Sequence, residues 1–292
     1  MKIYKTFPLA ILFPIICYSH MDPPGEIYPK VVVADELIYI LFEAYQTMTS
    51  EEDNLEGGIF KKIYTSEGKS LGDRVRIQED EFNGYFEMPE IVLPEELQGK
   101  YKKFNNSFYI FPDWRRKHKG TPFYLIADDK EYIKKTLDWG VHSIDIVEGF
   151  IVTQNSMVVL ATVIKNNDVE TLFPKTDLWM FHFNKFDGKI IFSKKIGDPT
   201  FIYSFPGTSN VIEKNQKVFF VWNKQAQMNH EEISLHLVQY DIASKSFSDT
   251  LLPYKSTWNI SISIGATLRH ICLAYHGISP EISVEFLPIN TE

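Results

Sequence analysis

Apolar and polar positions alternate over short runs through most of this chain, and residues typical of turns separate the runs. A period of two places every second side chain on the same face of a β-strand, so these runs predict strands. The turn signals include Asn83-Gly84, Asp187-Gly188, Pro206-Gly207 and His276-Gly277. Helical spacing is best at residues 131–137, a stretch of about two turns. The pattern therefore predicts an all-β protein with almost no helix.

Two segments of this pattern repeat each other closely. Residues 180–187 (MFHFNKFD) and 234–241 (SLHLVQYD) share an apolar-His-apolar triplet and a final aromatic-Asp pair, with matched positions 54 residues apart. This alignment predicts that His182 and His236 occupy equivalent places in successive repeats. Asp187-Gly188 then provides a strong hairpin signal.

A second recurring element consists of a turn-like pair of residues, an apolar run, and in most copies an aromatic residue followed by a polar one. The pairs are Asp35-Glu36, Asn105-Asn106, Asn155-Ser156, Asn215-Gln216 and Leu268-Arg269. Repeats of this kind, each with about four short strands, are typical of the blades of a β-propeller. We therefore predict about five four-stranded blades. A sixth, degenerate blade at residues 82–99 stays open, as do a pair of β-sandwiches and an irregular barrel.

Three segments carry a resemblance to a known family. Residues 28–43 (YPKVVVADELIYILFE) and 204–222 resemble the strand-opening segments of sialidase-like, BNR-type propellers. Residues 64–72 (YTSEGKSLG) resemble a decayed form of that family's Asp-box turn, without its aspartate and tryptophan. The resemblance implies a propeller over most of residues 28–288. It does not extend to the chemistry, because the arginines that clamp a carboxylate in sialidases lack their Arg-Ile-Pro context here.

Composition narrows the classes of function. Hydrophobic residues make up 44% and charged residues 23% of the chain, which is typical of a folded protein. The 22 Phe, 15 Tyr and 5 Trp favour strands, because aromatic side chains fit a half-buried pleated surface. The formal net charge of −8 argues against a nucleic-acid partner, which would require a basic surface.

The N-terminus has the pattern of a secretory signal peptide. Lys2 and Lys5 precede an apolar run at residues 7–16, and the small residue Ser19 offers a cleavage site. We therefore predict that residues 1–20 are a signal peptide. The protein would then be exported, as a secreted, periplasmic or cell-surface protein.

The two cysteines and the rest of the chain extend this prediction. Cleavage after Ser19 would remove Cys17, so the mature chain could form no internal disulfide. A lipid anchor at Cys17 is the alternative. Cys272 lies in an apolar run and is predicted to be a buried thiol. No later segment is apolar for long enough to span a membrane. Residues 21–292 are predicted to form a single propeller domain.

Candidate chemistry comes from residues at equivalent repeat positions. Glu43 and Asp113 both follow the aromatic end of a strand. If that strand lines the axis, the two carboxylates meet Thr162, Asn223 and His276 around one mouth. Paired carboxylates are what glycoside hydrolysis requires, so Glu43 and Asp113 are the candidate catalytic residues. Asp145 and Glu148 are further candidate carboxylates.

A basic loop with an aromatic residue stands out in this acidic chain. Tryptophan and arginine together suit a sugar or an anionic ligand, through stacking and charge. The predicted ligand-binding residues are Trp114, Arg115, Arg116, Asn223 and His276. We predict no metal site and no cofactor, because the histidines and the acidic loop at residues 49–58 lack ligand spacing.

These observations support three hypotheses. The leading one is an exported, non-catalytic propeller that binds a ligand, such as an anionic glycan or another component of the cell envelope. The second is a glycosidase or related carbohydrate-active enzyme that uses paired carboxylates at the mouth of the propeller. The third is a scaffold for interactions, without a small-molecule site. Converging carboxylates would favour the enzyme, whereas a plugged channel would favour the scaffold.

Overall fold

The computed structural model describes the residues that form the β-sheets and most of their tight turns. These are residues 25–45, 58–85, 99–112, 123–127, 132–165, 176–197, 211–224, 233–256, 262–276 and 281–289. Within them the chain forms strands almost throughout, with one short helix. The prediction of an all-β protein is therefore confirmed.

The strands form five antiparallel sheets, which we number as blades in chain order. Blade 1 contains β1 (Gly25–Ala34), β2 (Leu37–Tyr45), β3 (Gly58–Thr65) and β4 (Val75–Ile77), and α1 (Glu79–Gly84) follows it. Blade 2 contains β5 (Gly99–Phe104), β6 (Ser107–Pro112), β7 (Phe123–Ala127) and β8 (Tyr132–Thr136). Blade 3 contains β9 (Ile144–Val152), β10 (Ser156–Ile164), β11 (Thr176–Asn184) and β12 (Ile190–Gly197). Blade 4 contains β13 (Val211–Lys214), β14 (Lys217–Lys224), β15 (Ile233–Asp241) and β16 (Phe247–Ser256). Blade 5 contains β17 (Ile262–Ala266), β18 (His270–His276) and β19 (Ile282–Pro288).

The first strand of each blade faces the centre of the ring. Contacts between blades run from β5 to β9, from β9 to β13, from β13 to β17 and from β17 to β1. Consecutive strands pair within each sheet, so each blade is a meander that leads outward from the axis. Within the described residues this arrangement is a five-bladed β-propeller, with four strands in each of blades 1–4, as the repeat pattern predicts, and three in blade 5. Most of the stretch considered for a sixth blade lies outside the described residues.

The turns explain why the sequence repeats. The turn-like pairs connect the first and second strands of their blades, and Asp35, Glu36, Asn215 and Gln216 all have positive φ angles. Such angles suit the tight turn of a two-residue hairpin. Asp187-Gly188 likewise connects β11 and β12, as predicted. The recurring polar pairs are therefore signals for the hairpin beside the axis.

The best helical candidate in the sequence proved to be a strand. Residues 132–136 form β8, which pairs with β7 from Phe123↔Thr136 to Ala127↔Tyr132. All five side chains of β8 are exposed, so its sequence shows no alternation between buried and exposed positions. The helix that does form is α1, which begins after β4 and includes the predicted turn Asn83-Gly84.

The predicted equivalence of His182 and His236 is wrong by three residues. His182 pairs with Val158, two residues after the start of β10, whereas His236 pairs with Trp222, five residues after the start of β14. Because side chains alternate along a strand, an odd offset places the two histidines on opposite faces of their blades. His182 is accordingly 3% exposed, while the His236 side chain is 18% exposed.

Blade 5 packs against blade 1 and closes the ring. The Val31 amide donates a hydrogen bond of 2.9 Å to the Ser263 hydroxyl. Ile282 joins the core beneath blade 1, and the Phe286 ring lies 5.7 Å from the ring of Tyr64. The backbone of β19 pairs with β18, so the C-terminal strand contributes to closure by face-to-face packing.

The structure tests only part of the predictions about the cysteines and about membrane-spanning segments. Cys272 is fully buried, and burial raises the pKa of its thiol to about 12, as expected of an inert thiol. In the described part of the chain, no helix has the length and apolar character needed to cross a membrane. The predicted signal peptide, with Cys17, lies outside the described residues.

Candidate functional site

A cavity of about 450 Å³ lies at the centre of the ring, and all five first strands contribute to its wall. The lining comes from residues 30–33, 102–103, 151–152, 211–213 and 263–266. Most of these side chains are aliphatic. The charged exceptions are Lys30, Lys102, Lys103 and Glu213. The centre of the propeller is thus a small channel with many aliphatic residues in its wall and an excess of cationic groups.

The candidate residues of the second strands do share one structural position. Glu43, Thr162, Asn223 and His276 each stand six residues after the first residue of the second strand of their blade. However, the axis is lined by the first strands, so these residues stand one strand away from it. The premise that their own strand lines the axis is therefore wrong.

Of the two predicted catalytic residues, Glu43 and Asp113, the structure describes the side chain of Glu43 only. It is half-buried near the start of β1, and its carboxylate acts on Lys30 of that strand. Burial lowers the pKa of Lys30, and the charge of Glu43 opposes this shift. The ammonium of Lys30 also lies 4.8 Å from the ring centre of Phe82 in α1. Glu43 is thus coupled electrostatically to the channel wall.

Glu148 adds a buried carboxylate in the middle of β9, the first strand of blade 3. The register of β9 shifts between Val147 and Gly149, and Glu148 lies in this irregularity with 3% exposure. Lys100 of β5 donates a hydrogen bond of 2.7 Å to the Glu148 carbonyl, and its Nζ lies 3.6 Å from Oε2. A lysine of blade 2 therefore holds the irregular strand of blade 3.

Thr162 has a structural role beside this irregularity. Its hydroxyl accepts a hydrogen bond of 3.2 Å from the Ile146 amide, next to a second register shift in β9. Asp145 lies in that second shift. Bulges are frequent beside functional sites because they redirect side chains, and β9 carries two carboxylates at such places.

The remaining predicted site residues are not described to the same extent. Asp113, Trp114, Arg115 and Arg116 lie outside the described residues. Asn223 and His276 are placed as strand residues only. Their roles in catalysis or ligand binding stay predictions.

Lys102 is the residue that sequence reasoning missed. It lines the central cavity, and burial lowers the pKa of its amine to about 8. The sequence did contain a signal for it. Lys102 stands three residues before the turn pair Asn105-Asn106, and the residue at the same distance before the turn pair of blade 1 is Val32. Once the repeats are aligned by their turns, a lysine among aliphatic residues becomes visible.

Metal ligands are not grouped in the part of the chain that the structure describes. No cluster of three or more His, Cys, Asp or Glu side chains there has the proximity that metal binding requires. The charged groups can instead transfer protons, bind anions and hydrogen-bond to hydroxyls.

Comparison with protein families finds no family model that matches this chain, and no curated protein matches it. Similar solved structures include a glycosyl hydrolase from Bacteroides ovatus, with 10% identity over 90% of this chain and 84% of that chain, and a TM-score of 0.38. The catalytic domain of an α-L-arabinofuranosidase from Coprinopsis cinerea has 7% identity over 94% and 88% of the two chains, with a TM-score of 0.36. An α-L-arabinofuranosidase from Podospora anserina has 9% identity over 94% and 93%, with a TM-score of 0.37. None of the three is named as a sialidase, and the resemblance to that family stays a prediction.

Proposed function

We propose that this chain is an exported carbohydrate-active propeller that hydrolyses glycosidic bonds at the Glu43 end of its axis. The observation that supports this proposal is the buried carboxylate of Glu148, in a register shift of a first strand. An ionisable group in such a place costs stability, and catalysis is a common reason for that cost.

The chemistry needs two carboxyl groups with different tasks. One protonates the leaving oxygen, and the other acts as base or nucleophile. Glu43 of blade 1 lies opposite the start of β1, and Glu148 of blade 3 lies in the middle of β9. Lys30 acts on the first and Lys100 contacts the second, so the two carboxylates have distinct surroundings. Asp113 and Asp145 are the further carboxylates that this proposal includes.

A panel of aryl glycosides and polysaccharides tests hydrolysis by the purified protein. Glu43→Gln and Glu148→Gln are each expected to lower kcat by about a hundredfold or more, because an acid or base is removed with little change in shape. Glu213→Gln is the matched control, since Glu213 is exposed and lies near the opposite end of β13. The proposal fails if no substrate is cleaved, or if the three variants have equal activity.

The second candidate function is binding of an anionic glycan without catalysis. It is favoured by two lysines of first strands, Lys30 and Lys100, which occupy equivalent positions opposite Leu41 and Phe111. A glycan array with the intact protein would identify the ligand. Replacing Arg115 and Arg116 together with alanine should weaken binding of an acidic glycan, and more so at low salt. Unchanged binding by that double variant would exclude the basic loop from the site.

Export is a separate part of the proposal. Because Ser19 is small and follows the apolar run, the mature chain should begin near His20 or Met21. N-terminal sequencing of the protein from its native host measures this directly. Secreted protein that retains Met1 would contradict cleavage.

A further inference from the structure

We propose that the central channel binds a small carboxylate, whose charged group pairs with Lys102 and whose carbon body lies against the aliphatic wall. The cavity lies towards the ends of the first strands, beside the hairpin turns. Glu43 pairs with Ile27 near the start of β1 and Glu148 lies in the middle of β9, and neither residue lines the cavity. The proposal therefore rests on the channel alone and does not depend on glycoside hydrolysis.

Lys102 interrupts an otherwise apolar layer of the channel. In the backbone register of its blade, Lys102 lies opposite Tyr109, the third residue of the second strand. The residues at this position in the other four blades are Val32, Ile151, Ile212 and Gly265. A lysine at this position adds an ammonium group to a layer of apolar residues, and its partial burial is unfavourable without a compensating partner.

The protein supplies no such partner among its described residues. The Lys102 amine has no hydrogen bond or ion pair there. Glu213 is the carboxylate on the cavity wall, and its Oε1 accepts a hydrogen bond of 2.7 Å from the Gln216 amide in its own hairpin turn. The carboxylate of Glu213 is thus held by its own turn and forms no ion pair with Lys102.

The other two lysines of the wall have neighbours of their own. Lys30 lies 4.8 Å from the ring centre of Phe82 and is influenced by Glu43. Lys103 is exposed, and its ammonium lies 5.7 Å from the ring centre of Phe108. The wall therefore carries an excess of positive charge, and Lys102 is its unpaired member.

The form of the site favours a carboxylate over other anions. One ammonium can neutralise one negative charge, whereas a phosphate usually recruits several donors or a bidentate arginine. The surrounding aliphatic side chains suit a hydrocarbon body, and the volume of about 450 Å³ admits a small molecule. A short fatty acid or a similar organic acid meets both conditions.

Protonation gives this binding a pH signature. Burial lowers the pKa of the Lys102 amine to about 8, so the amine is mainly charged at pH 7 and about half charged at pH 8. A bound carboxylate favours the charged form, so binding at pH 8 should take up protons. Above that pH the affinity should fall about tenfold per unit, because the amine must first be protonated.

Calorimetry with butyrate and hexanoate tests the proposal, with butyramide and inorganic phosphate as comparison ligands. Titrations at pH 8 in two buffers of different ionisation enthalpy measure the proton uptake. We expect both acids to bind, hexanoate more tightly than butyrate, and butyramide and phosphate at least about tenfold more weakly. Lys102→Met should weaken binding of hexanoate at least about tenfold. Lys135→Met, on the exposed strand β8 of the same blade and outside the cavity wall, should change it less than about twofold.

The thermal stability of the ligand-free protein gives a further test of the unpaired charge at Lys102. Removing an unpaired buried charge should raise Tm, so Lys102→Met is expected to be more stable than the wild type. The proposal is overturned if neither acid binds at millimolar concentration, or if binding proceeds without proton uptake. Equal binding by the folded Lys102→Met protein, or tighter binding of phosphate, would also overturn it.

Discussion

A polar side chain buried between two blades of this propeller needs a partner from the neighbouring blade. His182 of blade 3 has one in Tyr240 of blade 4, whose hydroxyl lies 2.8 Å from Nδ1. Burial lowers the pKa of His182 to about 4, with a further contribution from Lys245, and raises that of Tyr240 to about 12. The pair is therefore neutral at pH 7 and fits an apolar interface.

This pair predicts a loss of stability in mild acid. The pKa of His182 in the folded state, about 4, is below the value of about 6.5 expected for the unfolded chain. The stabilisation of the folded state by neutral His182 is complete above pH 6.5. It is lost as the pH falls towards 4, because the unfolded chain binds the proton more readily. Urea unfolding should show a free energy of unfolding about 2 kcal/mol lower at pH 4.5 than at pH 7 from this group.

Two variants separate this effect from general acid sensitivity. His182→Gln removes the titrating group, so its free energy of unfolding should change less between the two pH values. His236→Gln is the control, because His236 is part-exposed and lies 3.2 Å from Asp249. An equal acid effect in the wild type and in His182→Gln would contradict the assignment.

At the scale of elements, the first strands approach each other closely where a glycine is present. A methyl group at Gly265 of β17 would lie 2.5 Å from Cγ1 of Val31 in β1. At Gly149 of β9 it would lie 2.8 Å from Cγ2 of Val211 in β13. Missing side chains at these points let neighbouring first strands pack together.

Gly265→Ala should therefore destabilise the junction of blades 5 and 1. We expect the free energy of unfolding to fall by about 1–3 kcal/mol, because a packed contact must move. Gly84→Ala is the control, since no atom lies within 4 Å of the added methyl group. Chemical denaturation of both variants measures the difference. Equal stability of the two would show that the junction adjusts freely.

The contact between β5 and β9 gives a second prediction at this scale. Lys100→Met leaves the buried Glu148 carboxylate without its ammonium neighbour, so the free energy of unfolding should fall by about 3 kcal/mol. Combining it with Glu148→Gln should recover part of this loss, since the buried negative charge is removed. Strictly additive effects in this double-mutant cycle would mean that the two side chains do not interact.

For the whole molecule, the ring is closed by packing of the last blade on the first. Phe286 of β19 lies against Tyr64, and His270 Nδ1 lies 3.1 Å from the Ser66 carbonyl. Deleting residues 282–292 removes β19 and exposes this side of blade 1. Calorimetry should show Tm lower by about 10 °C or more in a single transition. An unchanged Tm would mean that the ring does not depend on its C-terminal strand.

Much of the fold could be predicted from the sequence because its signals are local. A two-residue turn with positive φ angles selects polar residues or glycine, so the hairpins next to the axis repeat visibly. Alternation along the second strands then placed Glu43, Thr162, Asn223 and His276 at one repeat position. The exposed strand β8 escaped prediction because its partner, not its own pattern, makes it a strand.

The sequence by itself thus determined the all-β class and the repeated hairpins, and it left the number of blades open between five and six. Only the tertiary structure decided which strand faces the axis, because all strands of a meander have the same local pattern. It also decided the partners of individual groups. The contact of Lys100 with Glu148 and the unpaired amine of Lys102 arise where strands from different blades meet. Such contacts join residues that are distant in the chain, so burial and charge there depend on the closed ring.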